Sequence, residues 1–503
     1  MSRNEVAAPQ RLSFKTKFFF GLGSAAEAIG LFSVTSYAML YYNQVLGLPA
    51  HLAGLALSAS LLLDGPCDLL MGSLSDRTRS RFGRRHLYMY IAPIPIGLAL
   101  IAVFNPPKAS GEMMLFVWFT VSVILLRQLM NLFHTPHSAL GGELTTDYTE
   151  RTKVMAYASF FTSAGATAQG FIALTFFFKA TPNYPRGLLN PEPWLRYSLT
   201  MAALAVIMLY ASSWYTRDRI PHLPRPPANL PRFSAAEFLR DVGKAFSNPN
   251  YSLLIGGYFL LTMTTGLRSG LQLYTNTYFW ALTSETLRWL IFSSLLGAVV
   301  AFVVTARLQR RFDKKATIIV ASVVQAIAPA IPTWLGLMGV LTPQTPNLVY
   351  ILLAASSVGW IGYGVLTIGV LSCMADVADE NDLRYGVRQE GVMYAMRNMF
   401  GKIDQAIGAA LAGGILTLVA FPIKAVVGQV PLHVVRDVAW ADGVLATIPG
   451  VLAVIPYVFY RINRAQYETT KAALAARGAQ TAPPSTPRAL AEEPSAQTVP
   501  EIL

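Results

Sequence analysis

Hydrophobic runs of about 20 residues recur along the chain, separated by short polar or charged stretches. A helix rising 1.5 Å per residue needs about that many apolar positions to cross a hydrocarbon core. The runs are continuous rather than alternating within segments of about ten residues, so they predict membrane helices and not barrel strands. Twelve spans follow, at about 15–45, 50–74, 86–105, 113–140, 153–180, 196–216, 251–281, 286–309, 316–340, 347–375, 390–422 and 440–462.

The polar connections orient these spans. The one after span two holds Arg77, Arg79, Arg81, Arg84 and Arg85, and the one after span eight holds Arg310, Arg311, Lys314 and Lys315. Those after spans one and nine hold no Lys or Arg, and the one after span three holds only Lys108. Because Lys and Arg collect on the cytoplasmic side, both termini and the loop after span six are expected there, in a multi-pass protein of a bacterial-type inner membrane. The polar start, with Arg3, Arg11, Lys15 and Lys17, leads into a segment too long for a signal peptide and is expected to be retained.

The chain divides into a segment 1–14, a six-helix half 15–216, a linker 217–250 with Pro221, Pro224, Pro226, Pro227 and Pro231, a second half 251–462, and a tail 463–503. The tail, rich in Ala, Pro, Ser and Thr from about Ala475, is expected to be largely disordered. The halves echo one another. Arg81-Phe82-Gly83-Arg84-Arg85 recurs 230 residues later as Arg311-Phe312-Asp313-Lys314-Lys315, each just after the second span of its half. The economical fold is all-α and integral to the membrane, a duplicated six-helix unit with parallel repeats about an axis normal to the bilayer.

Composition agrees: of 503 residues 53% are hydrophobic and 13% charged, with mean hydropathy +0.43, so lipid is the solvent and the bilayer a partner. The net charge of +13 is dispersed among loops and reports orientation rather than nucleic-acid binding. The two cysteines, Cys67 and Cys373, lie in hydrophobic segments with no metal-ligand spacing, which excludes a disulfide framework and a zinc site. No phosphate-cradling glycine loop, histidine-rich metal set or nucleophile–base pair marks an enzyme, and no cofactor is expected.

Ionisable residues inside spans carry the chemistry, since each costs roughly 2.5–3.5 kcal/mol at the bilayer centre. Asp64 and Asp68 in span two stand at i and i+4, one above the other on a single face. Two like charges there repel unless a cation sits between them or one is protonated, an arrangement suited to loading a coupling ion, sodium or proton. Gly65 and Pro66 offer backbone carbonyls beside them. The structural alternative is a pair bridging to a basic residue as glue. Lys402 in span eleven needs a carboxylate: Asp64 or Asp68, or, as the local alternative, Asp404, or it snorkels to the interface.

Span four contributes Arg127, Asn131 and His134 at helical spacing; His134 carries protons, binds substrate or simply packs. Asn131 joins the cation-coupling set with Asp64, Asp68 and Lys402. Glu27, Arg127, His134, Tyr37, Trp360 and Arg268 form the candidate substrate set, the aromatic rings being able to stack on a sugar or simply to fill the core. The same aspartates are the metal ligands if the ion is sodium.

Gly72-Ser73-Leu74-Ser75-Asp76-Arg77 through Arg81-Phe82-Gly83-Arg84-Arg85 resembles the loop signature of the major facilitator superfamily. Asp64-Gly65-Pro66-Cys67-Asp68, Thr135-Pro136-His137-Ser138-Ala139-Leu140-Gly141, Asp147-Tyr148-Thr149-Glu150-Arg151-Thr152, Met374-Ala375-Asp376-Val377-Ala378-Asp379, Gly386-Val387-Arg388-Gln389-Glu390-Gly391 and Lys402 resemble, more narrowly, the glycoside-pentoside-hexuronide:cation symporters. The resemblance runs over about 12–462. It implies the major facilitator fold of twelve helices, a cation between Asp64 and Asp68 with Lys402 beside them, and a solute held centrally between the halves. It also implies a cytoplasmic gate made from Asp76, Arg77, Arg84, Arg85, Glu150, Arg151, Arg388 and Glu390, where simple topology signalling is the alternative.

Three departures bear on the cargo. Melibiose-type permeases of this family have an asparagine where Cys67 stands, and sulfur is a poor ligand for sodium. They carry an acidic sugar ligand where His134 aligns and an arginine where Ser159 aligns, and their span-one aspartate falls at or next to Glu27. The animal lysophospholipid symporters share these motifs and have a histidine near His134. The expected function is therefore cation-coupled symport of a glycoside, sugar or related small organic solute, by a functional monomer. A carrier of lysolipids or other amphiphiles is the alternative, and a non-transporting sensor a more distant one.

Overall fold

The computed structural model describes residues 12–108, 110–145, 147–223, 235–385, 390–462 and 464–481. Arg388 lies outside the described residues. The described secondary structure is helical throughout. The helical segments are traced as α1 (Phe14–Leu46), α2 (Ala50–Arg77), α3 (His86–Ile91 and Pro93–Val103), α4 (Glu112–Glu143), α5 (Tyr148–Ile172), α6 (Trp194–Tyr215), α7 (Pro249–Tyr274), α8 (Ser284–Arg311), α9 (Lys314–Leu337), α10 (Leu348–Tyr385), α11 (Glu390–Leu418) and α12 (Leu432–Phe459).

Nine of these are long and apolar enough to cross a membrane by length and hydropathy alone. The other three are α3, α7 and α11. In α3 the helix breaks at Ala92, because Pro93 has no N–H to give and prefers the first position of a new helix. Arg268 in α7, and Arg397, Lys402 and Asp404 in α11, dilute the hydropathy of the other two. The helices that look least like membrane spans are thus two that carry buried charge.

Helix boundaries follow local chemistry. Ser13 caps α1 by accepting from the Thr16 amide at 3.1 Å, Asp147 caps α5 by accepting from Glu150 N at 2.7 Å, and Asn248 caps α7 through Asn250 N at 2.8 Å. Gly47, with φ 91°, ends α1 in the left-handed conformation that glycine adopts without penalty. The far ends of α1, α5 and α7 relax into π-helical turns at Tyr41–Leu46, Ala173–Phe177 and Thr275–Phe279.

Lipid-facing positions are apolar and exposed, Leu98 at 63%, Ile207 at 66% and Phe302 at 75% among them. One buried apolar cluster fills the first half and continues into Leu267, Leu271, Tyr274, Leu416 and Phe421 of the second. A separate cluster, with Tyr251, Leu254, Val370, Met374 and Met393, fills the rest of the second half. The halves therefore share a core at one end only, the end away from the Arg- and Lys-rich connections.

The same end holds hydrogen bonds between the halves. Gln44 accepts from Tyr278 and from the Ala425 amide, each at 2.9 Å, and donates to the Pro422 carbonyl at 3.0 Å. Tyr274 donates to Asn43 at 3.0 Å, and the His51 amide to Thr417 at 3.2 Å. Here α2 and α11 touch backbone to backbone, and a methyl group on Gly54 would stand 2.6 Å from the Ala409 carbonyl.

A helix, Arg464–Thr481, runs several residues past the point where an unstructured tail was expected to begin. Its alanines favour helix, and Arg477 pairs with Asp382 at 2.5 Å. A further helix, Ala235–Phe246, occupies part of the proline-bearing linker.

Candidate functional site

Near the middle of the bundle α2 and α11 bring three charged side chains together. The Lys402 ammonium lies 3.0 Å from Asp64 Oδ2 and in a short ion pair with Asp68 Oδ2. Arg127 approaches Asp64 at 3.6 Å, and Asn131 donates to Asp64 Oδ1 at 2.7 Å. The i, i+4 spacing on both α2 and α4 aligns these four groups, and Pro66 is carried within α2 without ending it. Asp64 is buried; the Asp68 side chain is 30% exposed and that of Lys402 22%. Asp68 Oδ1 is buried with no hydrogen-bond partner among the described residues. Arg127, grouped with the substrate set by sequence, lies beside Asp64.

Glu27 on α1 forms a second site with α4. Its Oε2 is 2.6 Å from His134 Nδ1 and its Oε1 3.0 Å from His137 Nδ1. His137 Nε2 faces the Phe20 carbonyl at 3.0 Å. His137 is buried, whereas the His134 side chain is 51% exposed and presents a polar edge to the space between the halves. Sequence spacing pointed to His134 and Glu27; the i, i+3 step to His137 was the available signal for the third member.

Three expected substrate residues are not brought to this centre. Tyr37 packs in an aromatic cluster with Phe178, Trp194 and Tyr197 inside the first half. Trp360 stands against Gly297 of α8 and the Tyr363 ring, on the packing face between α8 and α10. Arg268 is buried within the second half, 3.8 Å from Asp442 and donating to Thr447 at 2.9 Å; it borders a cavity of about 20 Å³ with Gln272, Thr275 and Asn276. Nor does Lys402 pair with Asp404. Two residues along a helix is about 200° of rotation, so the two side chains leave α11 on different faces.

The charged loop residues form braces inside each half. Arg85 pairs with Asp76 at 2.5 Å and Glu143 at 2.7 Å, and Arg84 with Glu143 at 2.7 Å. Glu150 holds Lys17 at 3.0 Å and Lys153 at 2.7 Å, and Arg151 lies along α4 beside Gly142. Two members of this network recur in the second half at the loop motif's offset of 230 residues. Lys314 stands at the place of Arg84 and pairs with Asp376 at 2.6 Å, and Glu380 stands at the place of Glu150 and accepts from Asn248 and Asn250 at 3.1 and 2.9 Å. Glu143, Lys17, Asn248 and Asn250 were not expected; the repeat offset pointed to Glu380. Arg77 is exposed beside this network, and Glu390 opens α11.

Comparison with known proteins agrees with this architecture. The putative glycoside/cation symporter YagG of Escherichia coli is 26% identical over 416 residues, 82% of this chain and 84% of that protein. The isoprimeverose transporter of Lactiplantibacillus pentosus is 23% identical, over 80% of this chain and 79% of its own. Among solved structures, a D-xylose–proton symporter superposes with TM-score 0.60 at 12% identity, covering 89% of this chain and 97% of that one, which fixes the fold as that of the major facilitators. The model of the MFS/sugar transport protein family matches residues 19–464, and the chain, a membrane transporter rather than an enzyme, belongs to that family.

Proposed function

We propose that this chain is a secondary active symporter that moves a sugar or glycoside with a cation, proton or sodium, by alternating access. The observation that carries the reading is the Lys402 ammonium shared between Asp64 and Asp68 across the two halves. An arriving cation that displaces it frees α11 from α2, which links ion occupancy to the motion of one half against the other. The solute is taken in the adjoining space, where Glu27 and the exposed edge of His134 offer an acceptor and a donor to hydroxyl groups. The relatives named for glycosides and isoprimeverose support a sugar as that solute.

The Arg- and Lys-rich end is read as cytoplasmic, with both termini there, in a bacterial inner membrane. The shared core and hydrogen bonds of the opposite end then form the outer seal. The braces inside each half hold it rigid while the halves rock.

The test is uptake into proteoliposomes with imposed pH or sodium gradients, with isoprimeverose and methyl β-glucuronide as probes. Accumulation driven by one gradient is expected, and its loss in Asp64→Asn and Asp68→Asn with folding retained in at least Asp68→Asn. Uptake indifferent to both gradients, full accumulation in both variants, or inhibition by lysolipids but not sugars overturns the reading.

A further inference from the structure

The remaining acid of α11 stands outside the ion-pair network. Asp404 faces α7, on the other side of the helix from Lys402, and is fully buried. Its Oδ2 touches Thr262 Oγ1, and its Oδ1 has no hydrogen-bond partner among the described residues. The α7 and α11 backbones close over it, a methyl group on Gly266 falling 3.0 Å from the Asp404 carbonyl.

Thr262 has one hydroxyl proton and three oxygens around it. The Tyr258 carbonyl lies at 3.0 Å and the Phe259 carbonyl at 3.2 Å, the back-bonding that a threonine within a helix ordinarily makes. With that proton given to the backbone, the close contact with Asp404 joins two oxygens, and it is attractive when Asp404 itself bears a proton and donates it to Thr262 Oγ1. Among the described residues no basic side chain forms an ion pair with Asp404. Lys402 is held by Asp64 and Asp68, Arg268 by Asp442, Lys314 by Asp376 and Lys244 by Asp241. Arg397, two turns before Asp404, lies over the Tyr258 ring at 4.6 Å. A bare carboxylate here is a buried charge without a partner, the costliest state such a group can take.

We propose that Asp404 is a proton-binding site, loaded in the conformation seen here, whose proton forms part of the contact between α7 and α11. Its place in the transport cycle rests on the symport reading. One rigid helix carries Lys402 toward α2 and Asp404 toward α7, so a shift of α11 that opens Asp404 to water, where it releases its proton, also moves Lys402 relative to the α2 acids.

Infrared spectra of the full chain in lipid at neutral pH test the occupancy directly. The C=O stretch of protonated carboxyl groups is expected to lose one group's intensity in Asp404→Asn, to keep it in Asp68→Asn, and to shift in Thr262→Val, which removes the acceptor of the O–H. An unchanged band in both Asp404→Asn and Thr262→Val overturns the proposal; the second variant serves if the first does not fold. Thermal unfolding gives an independent readout. A carboxyl protonated when folded and ionised when unfolded makes stability fall as pH rises, so the wild-type midpoint is expected to drop more steeply with rising pH than that of Asp404→Asn. Parallel curves refute it. Neither readout needs transport: failed gradient coupling removes the symport reading and leaves these results standing, and a missing carboxyl signal leaves symport standing.

Discussion

Replacing Lys402 by Met removes the ammonium while keeping most of the side chain's volume. In the native protein an incoming cation competes with Lys402 for Asp64 at 3.0 Å and for Asp68. Breaking a buried ion pair typically costs about 3–5 kcal/mol, and the partial exposure of Asp68 and Lys402 reduces that to about 2–3 kcal/mol through solvent screening. The variant's empty state carries this cost permanently, and a bound cation relieves it. Apparent cation affinity is therefore expected to rise by about 30- to 150-fold, at about 1.4 kcal/mol per factor of ten. Arg127, still 3.6 Å from Asp64, sets this as an upper range. The assay is the thermal midpoint of the purified protein titrated with sodium at fixed pH and with acid at fixed sodium, since a ligand that binds only the folded state raises it. Concentrative uptake is expected to fail in the same variant, because nothing displaces the ion on release. Titration midpoints within threefold of wild type for both ions would refute the competition.

Three further outcomes follow from the geometry. A disulfide between His51→Cys and Thr417→Cys is expected to form readily at the sealed end and to stop uptake until reduced, because the His51 amide and the Thr417 hydroxyl are 3.2 Å apart across the halves; uptake that continues with the bond formed counts against an opening there. His134→Ala is expected to weaken sugar affinity about ten- to a hundredfold, as one hydrogen bond of about 1.5–3 kcal/mol to a charged group is lost at an exposed edge. His137→Ala, by contrast, is expected to lower the thermal midpoint with little change in sugar affinity, since it empties a buried ring position that contacts Glu27 and the Phe20 carbonyl; equal loss of sugar affinity in the two variants contradicts the division of roles.

Much of this was legible in the sequence. Continuous apolar runs gave the spans, and the cost of charge in hydrocarbon singled out Asp64, Asp68 and Lys402, which do meet. A duplicated motif announced the repeat, and Lys314 and Glu380 stand at its offset from Arg84 and Glu150, while Asp376, the partner of Lys314, does not stand at the offset of Glu143. What stayed hidden was direction around each helix. In a protein surrounded by lipid the outward face is as apolar as the core, so the pattern does not say which way Tyr37 or Trp360 points; Tyr37 packs inside the first half, while Trp360 meets α8 through its backbone and Cβ and leaves its ring exposed. Arg268 satisfied the rule that buried charge finds a partner, but Asp442 is 174 residues away and no spacing links them. Lys402 and Asp404 look like neighbours on paper and are separated by the helix between them.

The mirrored braces set where motion is cheap. Glu150 ties the start of α5 to the start of α1, and Glu380 ties α10 to the start of α7, so neither hemisphere of the molecule need unfasten its own bolts to tilt. Such a machine concentrates its deformability in a single seam, and the work of each stroke is set by the few dozen atoms along that seam rather than by the bulk on either side.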